Sequence, residues 1–562
     1  MVSEIVSLFV GPVYLMNEYQ SVYGSTKVNG RYVDNCDYLS VPKKYSDVDR
    51  SVFLRKNDLE YKHQDMSRGQ IDHINYIFNP VNEYFSGKPV KDIYFQYGFG
   101  NTLLLGGTMR FFCGLSIENY YKCYIFYLIY AVLCLFLLWF IFKEALYVAA
   151  AFFAYVLSFY WSGFIGFILA PGIIPTIHCF DIAVIFSIFL YFRYKNIWAA
   201  ALSLFLSFLA VIFNVKLGGI LSMALLITGG FYLKDKLSGR RRIFALTIWG
   251  ILLGTLIFGA FKLLPHTADP FFKYFLLGYM SNSPGKMVVF FTIVYLLISY
   301  LFLFFLRKER SEFKYLYVFL FFYNQGLLIY FFWSGLLSHL VFSVQFIGWQ
   351  IVVMLFMMKD KYSFSRHIVR IIAVMFFIFA AFALRSFYFA PHSGKKYFLD
   401  NFKDHKTYAW GFERAHVVST IDPALIDQSL ALINNYSRQP DTGIYILSKY
   451  DNLLPFLSGH YSAMRYFSLS GYLLNEEALL RVVADLRRAK IEYLYVDRDI
   501  LDDAVDLWQD IFSKHEYTDF LARERKARLG RSALLRNIFY MINEEYVKVD
   551  EGGLLAVYKK KI

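Results

Sequence analysis

A chain of 562 residues that is 57% hydrophobic and 20% aromatic is too apolar for an ordinary soluble protein of its length. Its net charge of +14 does not point to nucleic acid, because many Lys and Arg residues occupy short connections between apolar runs, where the positive-inside rule collects them. The five cysteines form no CxxC and no Cys/His spacing suited to zinc, which argues against a structural metal site.

In chain order, residues 1–16 are expected to be a short or incomplete first transmembrane segment. Ile5 to Met16 supplies only about a dozen apolar residues and includes Pro12, which is short for a full span. No Lys or Arg precedes the run, so a signal peptide is the weaker reading. Residues 17–120 form a polar first loop, in which Cys36 pairs with Cys113 only if the loop faces an oxidising compartment.

The transmembrane bundle is expected over 121–389. Ten apolar runs approach or reach the roughly 20 residues a span needs, at 121–142, 145–168, 172–192, 196–213, 217–233, 243–264, 287–306, 315–333, 339–358 and 368–389. Basic residues fall in every second connection, at Lys143, Arg193 and Lys195, Lys234 to Arg242, Arg307 to Lys314 and Lys359 to Arg370. Those connections are cytoplasmic, and the charge-poor ones between them face outward. By parity the first loop and the tail share the outer side.

Residues 390–562 read as an α/β soluble domain. A helix is expected at Pro423–Tyr436, a strand at Gly443–Leu447, a helix at Glu476–Ala489 and a strand at Ile491–Val496, followed by a further helix and strands. No GxGxxG, GxSxG or P-loop occurs there, so the tail reads first as a lid or docking domain. Its basic run from Arg523 to Arg536 suits either anionic headgroups or a solvated helix face. The fold class is thus a polytopic α-helical membrane protein of about 10–11 transmembrane helices with a C-terminal α/β extracytoplasmic domain.

The residues that carry chemistry concentrate late in the first loop, from Arg68 through Asp72, His73, Pro80, Glu83, Gly87-Lys88-Pro89, Asp92 and Tyr97-Gly98. Asp72 and His73 are titratable neighbours followed by aromatic residues. At a bilayer interface partial desolvation would shift their pKa values toward general-base use. Asp72 is equally well placed to cap a helix that starts after it.

This segment resembles the first outer loop of the GT-C class of polytopic membrane glycosyltransferases, in a bacterial branch where an acidic residue and a His precede a Pro, a Gly-x-Pro, an Asp and a closing Tyr-Gly. Asp72, His73, Pro80, Gly87, Pro89, Asp92, Tyr97 and Gly98 match that pattern. The motif covers about 30 residues, and the layout of one large first loop, many spans and an outward tail covers most of the chain.

The resemblance implies an enzyme of the bacterial inner membrane that takes a sugar from a polyprenyl-phosphate donor and passes it to a glycan, lipid or protein acceptor in the cell envelope. Asp72 is then the general base with His73 beside it, and Asp92 either orients the acceptor or binds a divalent cation. No other cofactor is implied. Arg68, Glu83 and Tyr97 join the substrate-binding set. Cationic groups at outer helix ends would stabilise the departing phosphate, and Lys216, His178 with Asp181 one turn away, and His339 occupy such ends. An ordinary interfacial role is open for each. Two departures from the family stand out, since no Arg lies between Trp333 and Ser338 and the usual acidic residue near Lys216 is replaced.

Three other functions compete. A lipid-linked oligosaccharide polymerase or ligase would carry its large outer loop in the later half of the chain. A transporter or flippase would favour internal repeats and charged mid-membrane helices. A scaffold would use the tail to bind a partner.

Overall fold

The computed structural model describes residues 79–93, 95, 98–164, 172, 174, 178, 180–263, 286–309, 311–334, 337–360, 366–372, 374–375, 408–419, 422–437, 443–448, 450, 453–464, 484, 486–489, 491–497 and 541–561, with three short pieces at 14–15, 25–28 and 31–34.

Among the described residues, three helices belong to the first loop and its return to the membrane: α1 at 79–85, α2 at Phe99–Phe111 and α3 at Ile117–Lys122. The bundle follows as α4 (Ile125–Phe142), α5 (Ala145–Phe164), α6 (Asp181–Tyr194), α7 (Ile197–Phe213), α8 (Val215–Lys236), α9 (Gly239–Leu263), α10 (Lys286–Phe305), α11 (Glu312–Ser334) and α12 (Leu337–Met358). Among the described residues four stretches, Ile117–Phe142, Val215–Lys236, Val288–Phe305 and Glu312–Phe332, are long and apolar enough to cross a bilayer outright, and shorter apolar helices accompany them. The chain is a multi-pass membrane protein.

The helix boundaries follow local chemistry. Asn196 caps α7 by accepting from the Trp198 amide, and Asn214 caps α8 by accepting from the Lys216 and Leu217 amides. The helices α4 and α6 end on Lys143 and Lys195, both left-handed at φ 53° and 56°, so the last turn closes where a basic side chain meets the surface. The third span begins at Asp181 rather than 172, and most of the expected span at 368–389 lies outside the described residues.

Side-chain size sets a close helix contact. A Cβ added to Gly348 on α12 would lie 2.3 Å from the Ala154 Cβ on α5, the small-residue contact that lets membrane helices approach closely. Trp349 then reaches across to donate to the Ala151 carbonyl at 2.9 Å. On the basic face, Lys314 at the start of α11 pairs Asp235 at the end of α8 at 2.6 Å, and Lys359 after α12 pairs Glu144 before α5. These pairs join connections that the charge pattern places on one side.

A polar network ties α10, α11 and α12. Gln350 accepts from Tyr295 at 2.5 Å and from Asn324 at 2.7 Å, and it donates to the Ser299 hydroxyl at 3.1 Å. These mutual bonds offset much of the cost of burying the groups, although the Asn324 Oδ1 has no hydrogen-bond partner among the described residues.

The tail folds as an α/β unit. Strands β6 (Tyr445–Leu447), β7 (Tyr493–Asp497), β8 (Tyr546–Gly552) and β9 (Leu555–Lys560) form one sheet in the order β6-β7-β9-β8, with β6 and β7 parallel and the β8-β9 hairpin antiparallel. Helix α13 (Pro423–Tyr436) starts where Asp422 accepts from the Ala424 amide and Pro423 opens the first turn. A short helix, α14 (Leu453–Ser458), follows β6.

Residues Tyr14–Leu15 form strand β1, which pairs in parallel with β5 (Val418–Ser419); β5 in turn pairs with β4 (Tyr408–Ala409). The rest of the segment expected at 1–16 lies outside the described residues, as does Cys36. Cys113 is a free, exposed thiol. A hairpin of β2 (Ser25–Val28) and β3 (Arg31–Asp34) lies in the first loop.

Candidate active site at the loop face

The first loop is seated on the turn between α7 and α8. Gly98 precedes α2 at φ 140°, and a Cβ there would lie 2.3 and 2.8 Å from the carbonyl oxygens of Ile212 and Phe213. Only glycine permits both that backbone angle and that approach. Two residues on, Gly100 leaves room for the Phe213 ring, which a Cβ would meet at 2.2 Å, and Asn101 donates to the Phe213 carbonyl. The closing glycine of the Tyr97-Gly98 pair is therefore a docking residue.

The same turn carries Lys216. Asn214 fixes the first turn of α8, and the Lys216 ammonium lies 5.6 Å from the centroid of the Tyr330 ring on α11, within cation–π range. Phe213 also meets Phe180 edge to face at 5.0 Å. Phe180 lies between His178 and Asp181, so one phenylalanine joins the first loop, the cation and the start of α6.

His178 and Asp181 are themselves buried, at 1% and 2% exposed side chain, with Nδ1 of the ring 2.7 Å from a carboxylate oxygen. The other carboxylate oxygen accepts from the Ile182 amide at 2.7 Å and from the Tyr130 hydroxyl at 3.2 Å. Gln345 on α12 donates to the Tyr130 hydroxyl at 3.3 Å. The result is a polar chain from α6 through α4 to α12, and it fixes the imidazole's orientation. Sequence reasoning missed Tyr130 and Gln345, which lie 215 positions apart and carry no local signal.

Glu83 takes a different place. Its Oε1 accepts from Lys88 at 2.7 Å, and the Lys88 ammonium also donates to the carbonyls of Ser462 and Met464, each at 2.9 Å. Its second carboxylate oxygen has no hydrogen-bond partner among the described residues. Burial pushes the Glu83 pKa up to about 7, although Lys88 pulls the other way. Beside it, Asn82 donates to the His460 carbonyl at 2.5 Å and accepts from Arg414 at 2.8 Å. Arg414 donates in turn to the Phe456 carbonyl at 2.9 Å. The Gly87-Lys88-Pro89 stretch is thus where the tail docks on the first loop. Further contacts extend this seam, since the Ile117 amide donates to the Arg414 carbonyl at 3.0 Å and the His416 amide to Glu118 at 2.5 Å.

Asp92 ends an exposed 3-10 turn, Val90–Asp92. His339 lies in the first turn of α12. Arg68, Asp72, His73 and Tyr97 lie outside the described residues. Among the described residues no three His, Cys, Asp or Glu side chains are grouped to hold a metal ion.

No family model matches the chain, and no curated protein matches it. Two solved structures are similar: ArnT from Cupriavidus metallidurans in the apo state, at 11% identity and TM-score 0.42 over 86% of this chain and 92% of that one, and the same protein bound to undecaprenyl phosphate, at 13% identity and TM-score 0.42 over 87% and 93%.

Proposed function

We infer that this protein is a membrane glycosyltransferase of the GT-C type, which moves a sugar from a polyprenyl-phosphate donor to an acceptor at the outer face of the membrane. The observation that carries the reading is the convergence on Phe213, where the first loop, Lys216 and the start of α6 meet. A transfer of this kind needs a base near the acceptor and a cation near the departing phosphate, on elements held rigidly together.

The base is Asp72, which lies seven residues before α1 in sequence. It takes the proton from the acceptor hydroxyl as the acceptor oxygen bonds to the anomeric carbon. The bond from that carbon to the phosphate oxygen breaks, and its electron pair leaves with the lipid phosphate. Lys216 receives the growing negative charge, helped by the positive dipole end of α8. His178, fixed by Asp181, and His339 complete the phosphate side. His73 assists the base, Arg68 and Tyr97 bind substrate, and Asp92 orients the acceptor or holds a divalent cation. With the basic connections cytoplasmic, the first loop and tail face the cell envelope.

The test is sugar transfer by purified protein in lipid with a panel of polyprenyl-phosphate sugars. Asp72→Asn and Lys216→Met are each expected to lose transfer by at least about a hundredfold with folding intact. Equal transfer in wild type and Asp72→Asn would move the base elsewhere. Absence of transfer from every donor, with the wild type folded, would replace the enzyme reading by a transporter.

A further inference from the structure

Arg414 sits where three parts of the chain meet. It lies in a tight turn, in which the Phe412 amide donates to the Ala415 carbonyl at 3.2 Å and the Ala415 amide to the Phe412 carbonyl at 2.9 Å. From that fixed backbone its side chain and its carbonyl reach different elements. The guanidinium donates to the Asn82 Oδ1 on α1 at 2.8 Å and to the Phe456 carbonyl on α14 at 2.9 Å. The carbonyl accepts from the Ile117 amide at 3.0 Å, and Ile117 opens both α3 and a membrane-crossing stretch.

The tail is shaped to hold this guanidinium. Its central carbon lies 5.6 Å from the Phe456 ring centroid, and Gly459, at φ 76°, comes so close that a Cβ there would be 3.3 Å from Nη2. Among the described residues the guanidinium is spent on neutral oxygens rather than on a carboxylate. Donors aimed at an amide oxygen and a carbonyl fix distance and angle together. Asn82 is held as firmly from its other end, since it is 1% exposed and its Nδ2 donates to the His460 carbonyl at 2.5 Å.

The far side of α1 rests on the part of the loop that is seated on the bundle. Tyr84 meets Phe99 edge to face at 5.4 Å, and Phe85 fills the space left by Gly106, both on α2. Beyond Ile117 the chain runs into α4, whose Tyr130 donates to Asp181 beside His178. Arg414 therefore joins the helix that follows the proposed base to the helix that steadies the proposed phosphate side.

We propose that Arg414 is a positioning residue of the transfer reaction, through which the tail holds α1, and with it the end of the base-bearing segment, in register with the membrane entry of α3 and α4. The inference rests on the glycosyltransferase reading and adds to it a working part for the tail. A small displacement of a reacting group costs rate rather than affinity for the donor.

The test uses full-length protein in lipid and the polyprenyl-phosphate sugar that the wild type transfers. Arg414→Ala is expected to lower kcat by at least about tenfold and to leave the donor KM within about twofold, because the phosphate side stays on the bundle. Asn82→Ala should do the same, and the double variant should be no slower than the slower single one, since all three lose the same contact. An unchanged kcat, or a loss carried mainly by the donor KM, overturns the proposal, and so do losses that multiply in the double variant. Hydrogen exchange supplies a readout without substrate. In Arg414→Ala the Ser86, Gly87 and Lys88 amides, which close on α1 carbonyls, should exchange at least about tenfold faster while β7 and β9 stay protected. Exchange at 86–88 equal to that of the wild type overturns the proposal. If β7 and β9 also lose protection, the variant has lost its fold, and Asn82→Ala, which leaves the Arg414 turn and its Phe456 contact in place, decides by the same criteria. Failure of the wild type with every donor would instead remove the glycosyltransferase reading, while exchange at 86–88 would still report whether Arg414 holds α1.

Discussion

The ammonium of Lys88 and the carboxylate of Glu83 form a buried ion pair at 2.7 Å, and the same ammonium holds two carbonyls of a segment more than 370 residues away. The pair is a fastener between the first loop and the tail. Its energetics lead to the first two predictions.

Replacing Lys88 by Met leaves Glu83 buried beside two unmatched carbonyls, at an expected cost of about 3–5 kcal/mol. Protease sensitivity of the tail in detergent should rise sharply. Because removing both charges is cheaper than removing one, Glu83→Leu with Lys88→Met should be less damaging than Lys88→Met alone. Equal damage in the two would show that the carboxylate is solvated.

The folded pKa of Glu83 lies near 7, against an ordinary 4.5. Between those values the folded state binds more protons than the unfolded one, so stability falls as pH rises. The contribution is complete below pH 4.5 and is lost on passing through 7, and a difference of that size is worth about 3 kcal/mol at most. Hydrogen exchange in 79–88 and 453–464, corrected for intrinsic rate, should speed up from pH 5.5 to pH 8, and Glu83→Gln should flatten the change.

Gly98→Ala and Gly87→Ala separate strain from collision. Both glycines have positive φ, at 140° and 90°, but an alanine Cβ at 87 meets nothing within 4 Å while one at 98 strikes two carbonyls. Gly87→Ala should cost about 1–2 kcal/mol. Gly98→Ala should unseat α2 from the α7–α8 turn and abolish transfer. Thermal melts by intrinsic fluorescence, together with the transfer assay, distinguish the two.

Gln350→Leu removes the acceptor shared by Tyr295 and Asn324 within the bundle. Polar contacts between membrane helices are worth about 0.6–2 kcal/mol each, so the variant should lose about 1–3 kcal/mol in unfolding from mixed micelles. Transfer activity should be retained near its wild-type level.

The spans were legible because length and apolarity alone define them. Caps then moved the ends, as Asn214 starts α8 at Val215 where the apolar run suggested 217. In the tail, Asp422-Pro423 marks the start of α13 at the expected residue, since that cap is local chemistry. Partners far apart in the chain were not legible. Nothing near Glu83 announces Ser462, whose carbonyl shares the Lys88 ammonium with the Glu83 carboxylate. Nothing near Tyr14 announces its backbone pairing with Val418. The helix α2 went unread because its glycines interrupt the apolar period.

The seam between loop and tail dictates an order of synthesis. Tyr14 and Leu15 take their backbone partners from Val418 and Ser419, and Asn82 and Lys88 take theirs from residues beyond 450. During translation those early segments emerge long before their partners exist, and contacts of such sequence separation form slowly. The first loop therefore leaves the ribosome before the tail yet is finished only after it, so a prematurely terminated chain would carry the reaction's proposed base on an unassembled loop.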